Sequence, residues 1–491
     1  MLVKSALVFI LIISVVLTYV LWFTNTIDDL ILSNMVLVNN TNGFDMWKDP
    51  NCKVLYKVHI FNYTNIDDYR NKKAKKLHVE DIGPYTYEEN LTRIDVSFGE
   101  NNKLSYREKR ILTFKPDLSK GLENDSVQVP NIPLISAGPF IKDQNYLIRL
   151  ALSSLLRGIN EEPFITKTVG SFLTGYRSSI TDVGKTFILP DIPQKTGILV
   201  TRMDATRYKL TVNTGEKDIN RLGILEEFNG ENQFHSPYNQ NCSSVESSTG
   251  SFYPINRVKL KLPLNYIFPE ACRRMPLVFS KETTVLDGVL AYQYISPSDK
   301  LNYSSNHTEN LCYCKSNPTQ CPPNGVVDIS MCNFGSPVFL SAPHFHRGDP
   351  SLTEKFEGLH PERTTYDSIF NIHPRLGFIM TIRELYQLNI QVQKSEGLSQ
   401  YDMFEGGMIL PIVWAEAIID DETTTPEIKR LIHLLSFTVP LIEQLLKYGC
   451  LLSVIVCLGC FIATTIKDNS SKKALSYRLM LIGNKYTKTN C

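Results

Sequence analysis

The segment ALVFILIISVVLTYVLWF, residues 6–23, contains no charged side chain, and it determines on which side of a membrane the rest of the chain is expected to lie. These 18 uncharged, mostly apolar residues are enough to cross a bilayer as a helix. A cleaved signal peptide has a shorter apolar region and small residues before its cleavage point, whereas this segment ends in Leu21, Trp22 and Phe23. The sequence therefore predicts an uncleaved signal anchor.

A second uncharged segment, YGCLLSVIVCLGCFIATTI, occupies residues 448–466. Lys4 precedes the first segment, and six lysine and arginine residues follow the second. Because cytoplasmic flanks are enriched in these cations, both termini are predicted to be cytoplasmic. The predicted organisation is a cytoplasmic N-terminus at residues 1–5, a transmembrane helix at 6–23, an ectodomain at 24–447, a second transmembrane helix at 448–466 and a cytoplasmic tail at 467–491.

Acceptors for N-linked glycans provide an independent indication of this topology, because they are used in the secretory pathway. Between the two spans they occur at Asn39, Asn62, Asn90, Asn124, Asn241, Asn302 and Asn306. None lies between Asn124 and Asn241. That window is either a contact surface kept free of glycans or buried core.

Six of the 11 cysteines cluster in one fifth of the chain, at Cys242, Cys272, Cys312, Cys314, Cys321 and Cys332. An even number in an oxidising compartment indicates three disulfides, and their spacing leaves the pairing open. The alternative is a zinc site formed by the last four of these with His344 or His346. Their spacing lacks the paired C-x-x-C of structural zinc sites, so no metal is predicted.

The remaining cysteines have other expected roles. Cys52 is left unpaired. Cys450, Cys457 and Cys460 lie in the second span, where small apolar packing is expected and acylation of Cys460 is the alternative.

Charge and motifs exclude several classes of function. The formal net charge of +1 argues against a nucleic-acid-binding protein, which normally carries a basic excess on one face. The chain contains no G-x-S-x-G nucleophile elbow and no H-E-x-x-H zinc helix. We therefore predict neither an enzyme nor a cofactor.

Short strand-like runs, such as residues 54–61 and 377–382, predict one mainly β domain between the spans. Two segments depart from this pattern. Residues 143–157 repeat apolar side chains at helical spacing without a proline, and residues 164–176 are a second helical candidate. Either the two helices bury these side chains against each other, or they expose apolar faces to a ligand.

Several motifs in order resemble one family, the class B scavenger receptors, which is the family of platelet glycoprotein IV, lysosomal integral membrane protein type 2 and the sensory neuron membrane proteins. The matching motifs are FNYTN (61–65), GPY (83–85), CYC (312–314), CNFGSPVFLSAPHF (332–345), GLHP (358–361) and HPRLG (373–377). The resemblance runs almost from end to end.

The resemblance implies the disulfide pairs Cys242–Cys312, Cys272–Cys332 and Cys314–Cys321. It also implies an α+β, mainly β ectodomain: an antiparallel β-barrel-like sheet with an apical helical bundle at about residues 143–176 and an internal apolar tunnel leading towards the membrane. A 16-carbon chain faces a barrier on the order of 12 kcal/mol to cross water unshielded, and such a tunnel would remove it.

The implied function is capture of lipids or lipid-bearing particles at the apex, followed by passage through the tunnel. The implied partners are fatty acids, sterols, phospholipids or lipoprotein-like particles, and the bilayer. The apical residues predicted to bind ligand are Leu150, Leu155, Phe164 and Phe172. Scavenging members place lysines at the apex, but the matching turn here reads GINEE (158–162), so a strongly anionic ligand is not expected.

Two other functions use the same fold. One is a sorting receptor that binds a lumenal protein through the apical helices and escorts it to lysosomes, and the other is adhesion. The tail contains the tyrosine-based pattern YRLM, with Tyr477 and Met480 as its two apolar anchors for clathrin adaptors. Its placement in a basic, flexible tail predicts cycling between the cell surface and endosomes or lysosomes. The alternative is an amphipathic tail helix on the inner leaflet.

Overall fold

The computed structural model describes every residue of the chain except 1, 51, 143, 188–190, 235–239, 298–300, 304–307, 315–320, 364–365, 395–398 and 488–491. The chain divides into two compact units. One consists of its two ends, Met1–Asn34 and Arg430–Cys491, and the other is Met35–Lys429.

Helices lie at both ends of the chain and at several places in the larger unit. In chain order they are α1 Leu2–Phe23, α2 Thr26–Ser33, α3 Asn42–Lys48, α4 Ile66–Arg70, α5 Ile132–Lys142, α6 Tyr146–Ile159, α7 Val169–Thr174, α8 Ser179–Phe187, α9 Gln240–Ser243, α10 Ile255–Lys259, α11 Thr308–Leu311, α12 Pro426–His433 and α13 Val439–Thr487.

Most strands of the larger unit belong to one sheet. The strands are β1 Val54–Tyr63, β2 Leu77–Phe98, β3 Lys103–Phe114, β4 Ser126–Pro130, β5 Phe164–Thr168, β6 Asp204–Ala205, β7 Leu210–Asn213, β8 Ile224–Phe228, β9 Ser247–Ser248, β10 Leu264–Phe268, β11 Arg273–Val285, β12 Val289–Ile295, β13 Val326–Asp328, β14 Val338–Ser341, β15 Phe356–Glu357, β16 Ile369–Ile372, β17 Ile379–Gln391 and β18 Ile409–Ile419.

The main sheet closes on itself. Its strands pair in the order β17-β16-β12-β11-β10-β9-β8-β7-β3-β2-β1-β18, and β18 pairs with β17 to complete the ring. Closure is possible because β17 is 13 residues long, so one part of it pairs with β16 while an overlapping and longer part pairs with β18. The result is a closed barrel, as the resemblance implied, with β14 and β13 added beside one part of β17.

Strand β1 shows why the sequence forms this sheet. Its side chains alternate, with Tyr56, Val58 and Ile60 buried and Leu55, Lys57 and His59 partly exposed. Alternation of this kind places one face of a strand in the core and the other towards solvent. The prediction of a strand at residues 54–61 is confirmed, and the one at 377–382 falls at the start of β17.

The terminal helices α1 and α13 pack against each other. The hydroxyl groups of Ser14 and Ser453 are 2.8 Å apart, and the indole of Trp22 donates to the carbonyl of Lys447. Both helices are long and apolar enough to cross a membrane. The second helix, α13, continues beyond residue 466 to Thr487. No proline or glycine lies between Gly459 and Gly483 to interrupt it.

Two sequence predictions need correction. Residues 164–168 form strand β5, which pairs with β4, so the second helical candidate is helical only in α7. The β-branched residues Ile165, Thr166 and Thr168 favour the strand. The C-terminal tail is also helical rather than flexible, since α13 runs to Thr487 and includes Tyr477 and Met480.

Candidate functional site

Helices α5, α6 and α8 form a cluster over strands of the barrel. Asn145 caps α6 by accepting a hydrogen bond from the backbone N–H of Ile148 at 3.0 Å. Gly138 of α5 lies against the carbonyl of Gln393, where a Cβ atom would be 2.7 Å from that oxygen. The phenol of Tyr401 donates to the carbonyl of Leu134 at 2.5 Å and so ties α5 to the loop before β18.

An apolar cavity of about 250 Å³ lies between this cluster and the barrel. Its outer wall comes from the three helices and the loop at residues 191–201, and its inner wall from β14, β17 and β18. The side chains that line it include Ala137, Leu155, Lys195, Thr201, Asn333, Val338, Leu388 and Ile412.

The polar groups in the cavity wall are mostly bonded to one another. The hydroxyl groups of Ser136 and Ser336 are 2.5 Å apart, and those of Thr181 and Thr196 are 2.9 Å apart. Lys195 is the one charged side chain in the described lining. The wall therefore offers an apolar group a dry surface with a single cation.

The structure separates the four predicted ligand residues. Leu155 is 41% exposed and lines the cavity, and Leu150 is 49% exposed on the outer face of α6. Phe164 and Phe172 are 5% and 0% exposed and belong to the hydrophobic core. The prediction that Phe164 and Phe172 capture ligand at the surface is therefore wrong, because their rings are already packed inside the protein.

A cluster of six ions, four of them buried, lies next to residues of the cavity wall and was missed by sequence reasoning. Its members are Arg93, Arg110, Arg202, Glu89, Glu108 and Glu270, three cations and three anions. Arg202 donates to Glu89 at 2.7 Å and to Glu270 at 3.4 Å, and its guanidinium lies 4.3 Å above the ring centre of Tyr56. We call these six residues the ion cluster.

The electrostatics of the ion cluster keep Arg202, Arg110 and Glu108 charged. Burial alone would lower the pKa of the Arg202 and Arg110 guanidinium groups, but the neighbouring carboxylates raise both above the ordinary value. Burial would raise the pKa of Glu108, but Arg110 and Arg93 lower it overall. A sequence signal existed, because Glu89, Glu108 and Arg110 occupy inward-facing positions of alternating strands.

A second polar centre surrounds Asp81 of β2. Its carboxylate accepts from His59 at 3.1 Å, from His344 at 3.0 Å and from the indole of Trp414 at 3.2 Å. The other ring nitrogen of His344 accepts from the backbone N–H of His360, which assigns a neutral imidazole. Burial alone would raise the pKa of Asp81, but the hydrogen bonds from His344 and His59 hold it well below its ordinary value.

The cysteines and histidines of the zinc alternative are engaged in other bonds. The structure bonds Cys242 to Cys312, Cys272 to Cys332 and Cys314 to Cys321, the pairs that the resemblance implied. His344 is engaged with Asp81, and His346 approaches the carbonyl of Pro361 at 2.6 Å. The described residues contain no group of three or more side chains suited to a metal.

Cys52 is half-buried and free, and burial raises the pKa of its thiol. In the smaller unit, Cys457 is buried and Cys460 exposed.

The predicted glycan acceptors lie in varied positions. Asn39, Asn90 and Asn124 are exposed, and Asn62 and Asn302 are partly buried. The side chain of Asn241 and the whole of Asn306 lie outside the described residues. Glycosylation at all seven stays a prediction.

A closed β-barrel with a helical cluster over an apolar cavity, in a chain with an apolar helix at each end, fits a two-pass membrane protein with one large domain between its spans. The chain belongs to the CD36 family, whose model matches residues 6–465. This confirms the resemblance drawn from the short motifs.

Named relatives include two kinds of protein. Scavenger receptor class B member 1 of Rattus norvegicus is 28% identical over 400 residues, which cover 81% of this chain and 76% of the relative. Lysosome membrane protein 2 of Homo sapiens is 27% identical over 462 residues, 91% of this chain and 93% of the relative.

Proposed function

We propose that this chain is a class B scavenger-type receptor that captures lipids or lipid-bearing particles and holds an acyl or sterol group in the apolar cavity. The cavity itself is the observation that carries the proposal. At about 250 Å³ it is larger than the engineered apolar cavity of about 150 Å³ that stays dry and binds benzene. Burial of each methylene there contributes about 0.8 kcal/mol.

Capture is assigned to the outer face of α6. Tyr146, Leu147, Ile148 and Leu150 are all exposed on this helix, which forms an apolar patch of the kind that marks interaction sites. Leu155, one to two turns further along, lines the cavity. The absence of sequons between Asn124 and Asn241 leaves the patch free of predicted glycans.

The resemblance also implies onward passage of lipid through the barrel to the bilayer. Two further cavities of the described residues hold about 10 and 30 Å³, less than an acyl chain needs. Passage would therefore require the barrel interior to open. Both termini in the cytoplasm, with the larger unit facing outside or a lumen, remain part of this proposal.

Filling the cavity tests the lipid site. Ala137→Phe adds a ring at a lining position of α5, so we expect fatty-acid binding to fall at least tenfold and co-purifying lipid to be lost. The measurement is mass spectrometry of lipid extracted from the purified glycosylated full-length protein, together with displacement of a fluorescent fatty acid.

Ala74→Phe provides the control, because Ala74 is partly exposed and lies neither on α6 nor in the cavity lining. It should bind fatty acid like the wild type. Equal lipid content in the Ala137→Phe variant, with normal glycan maturation, would place the lipid elsewhere and contradict the proposed site.

The exposed face of α6 also favours a second candidate, a sorting receptor that binds a lumenal protein through these helices. The two functions separate in one experiment. An escort receptor should retain a lumenal protein in a pull-down, and Leu147→Glu and Leu150→Glu should abolish that retention. The cavity of an escort receptor should bind no fatty acid even in the wild type.

Trafficking through the tail is also proposed. Tyr477 and Met480 lie three residues apart on α13, on one face of the helix, where an adaptor of the clathrin type would contact both. Tyr477→Ala should raise the steady-state surface level at least twofold and slow antibody uptake. Tyr486→Ala is the control, because no bulky apolar residue follows it at the third position. Unchanged uptake in Tyr477→Ala would favour a receptor resident in the plasma membrane.

A further inference from the structure

We propose that Arg202, held by Glu89 and Glu270, closes the inner end of the apolar cavity and thereby sets the length of acyl chain that the cavity accepts. This inference rests on the proposed function and adds to it a residue that determines specificity. It concerns the larger unit only, in which all of these residues lie.

One hydrogen bond and one step along the chain place the ion cluster next to the cavity wall. Thr201 lines the cavity, and the next residue is Arg202. Asn333 also lines the cavity, and its side-chain amide donates to the carbonyl of Glu270 at 3.3 Å. The carboxylate of Glu270 accepts in turn from Arg202. An acyl chain that passed the wall at Thr201 and Asn333 would therefore meet the ion cluster.

Strand register shows that the barrel interior continues beyond this wall. On β14, Val338 lines the large cavity and Leu340 lines the small cavity of about 10 Å³. On β17, Leu388 lines the large cavity and Tyr386 the small one. Each pair is one two-residue step apart, roughly 7 Å. The two cavities thus follow one another along the inside of the barrel.

The ion cluster also adjoins the small cavity. Phe268 lines that cavity and precedes Glu270 by two residues. Burial raises the pKa of Tyr386 to about 12, and the charges of Arg202 and Glu270 act on the same phenol. Arg202 therefore lies near the step between the two cavities, against Tyr56 of β1.

Arg202 cannot move aside without cost. Glu89 is buried, and removal of its closest cation would leave a carboxylate with only the more distant Arg110, at 3.8 Å, as a partner. Uncompensated buried charges are strongly unfavourable. A terminal methyl group gains nothing by displacing such an ion pair, so chains longer than the cavity should gain no further affinity.

The test is a series of saturated fatty acids from eight to 20 carbons, measured by displacement of a fluorescent fatty acid from the full-length protein in nanodiscs. Empty nanodiscs correct for partition into the bilayer. In the wild type, affinity should rise about fourfold per methylene and then stop rising at a limiting length. In the double variant Arg202→Met/Glu89→Gln the rise should continue for at least two more methylenes.

The double variant removes one cation and one anion, so Glu270 keeps Arg110 as a partner. The control is Arg221→Met/Glu226→Gln, which removes an arginine–glutamate pair at 2.9 Å that is nearer the surface and is not next in sequence to any residue of the cavity lining. This control should keep the wild-type limit. The same limit in the Arg202→Met/Glu89→Gln variant would overturn the proposal.

A second measurement needs no variant. A fatty acid of the limiting length with a diazirine at its terminal carbon should label the wild type near Thr201 and Asn333. Labelling of Met275 or Tyr266, which line the small cavity, would overturn the role of Arg202 while leaving the lipid site intact. Failure of the wild type to bind any chain length would instead overturn the proposed function, and this inference with it.

Discussion

Asp81→Ala is expected to lower the free energy of unfolding by about 3 kcal/mol, because it leaves three buried or half-buried donors without their acceptor. These donors are the imidazoles of His59 and His344 and the indole of Trp414. His344 is fully buried, so water cannot readily replace the carboxylate there. For a unit of this size the melting temperature should fall by roughly 4 °C.

Thermal melting of the purified full-length protein measures this effect. Asp367→Ala is the matched control, since its carboxylate binds Arg347 at 2.9 Å in an ion pair at the surface. Exposed pairs of this kind contribute at most about 1 kcal/mol. Equal melting temperatures for the two variants would show that the Asp81 hydrogen bonds are not stabilising.

The pH dependence of the same contribution has a defined sign. The pKa of Asp81 is lower in the folded state than the ordinary value of about 3.9 for the unfolded chain. The stabilisation is therefore complete above about pH 4 and is lost as the pH falls further towards the folded-state pKa. The mildly acidic interior of an endosome would leave it intact, which is compatible with the proposed cycling.

Sequence reasoning succeeded where the signal was local. The uncharged run before Thr24 predicts a membrane-spanning helix, and the alternation around Val58 predicts a strand, because each depends on the period of a single element. It failed at residues 164–168, where pairing with β4 decides the conformation. The phenylalanines Phe164 and Phe172 show the same limit, since apolar side chains in a surface patch and in a core have the same sequence pattern.

The ion cluster could be located only with the tertiary structure. Arg202 and Glu89 are 113 residues apart, and Asp81 and His344 are 263 apart. A charged residue on the inward face of a strand is visible in the sequence, but its partner is not. For that reason the ion cluster could not have been assigned from Glu89 alone, although the alternation of Glu89 with Tyr87 already indicates an inward side chain.

Loss of the Cys272–Cys332 disulfide is expected to have a larger effect on folding than loss of the Asp81 carboxylate. The bridge joins residues 60 positions apart, and on the loop-entropy model a loop of that length restricts the unfolded chain by about 4 kcal/mol. It connects the start of β11 to the segment before β14, beside Asn333, which lines the cavity. Cys272→Ser/Cys332→Ser should therefore be retained in the endoplasmic reticulum, with immature glycans.

The Cys314–Cys321 bridge is the internal control, because it spans only seven positions. The same model gives about 2 kcal/mol for so short a loop, so Cys314→Ser/Cys321→Ser should mature to a greater extent and melt at a higher temperature. Glycosidase digestion distinguishes immature from mature glycans in both variants. If the two double variants matured equally, loop length would not govern the contribution of these bridges, and the large effect assigned to Cys272–Cys332 would be wrong.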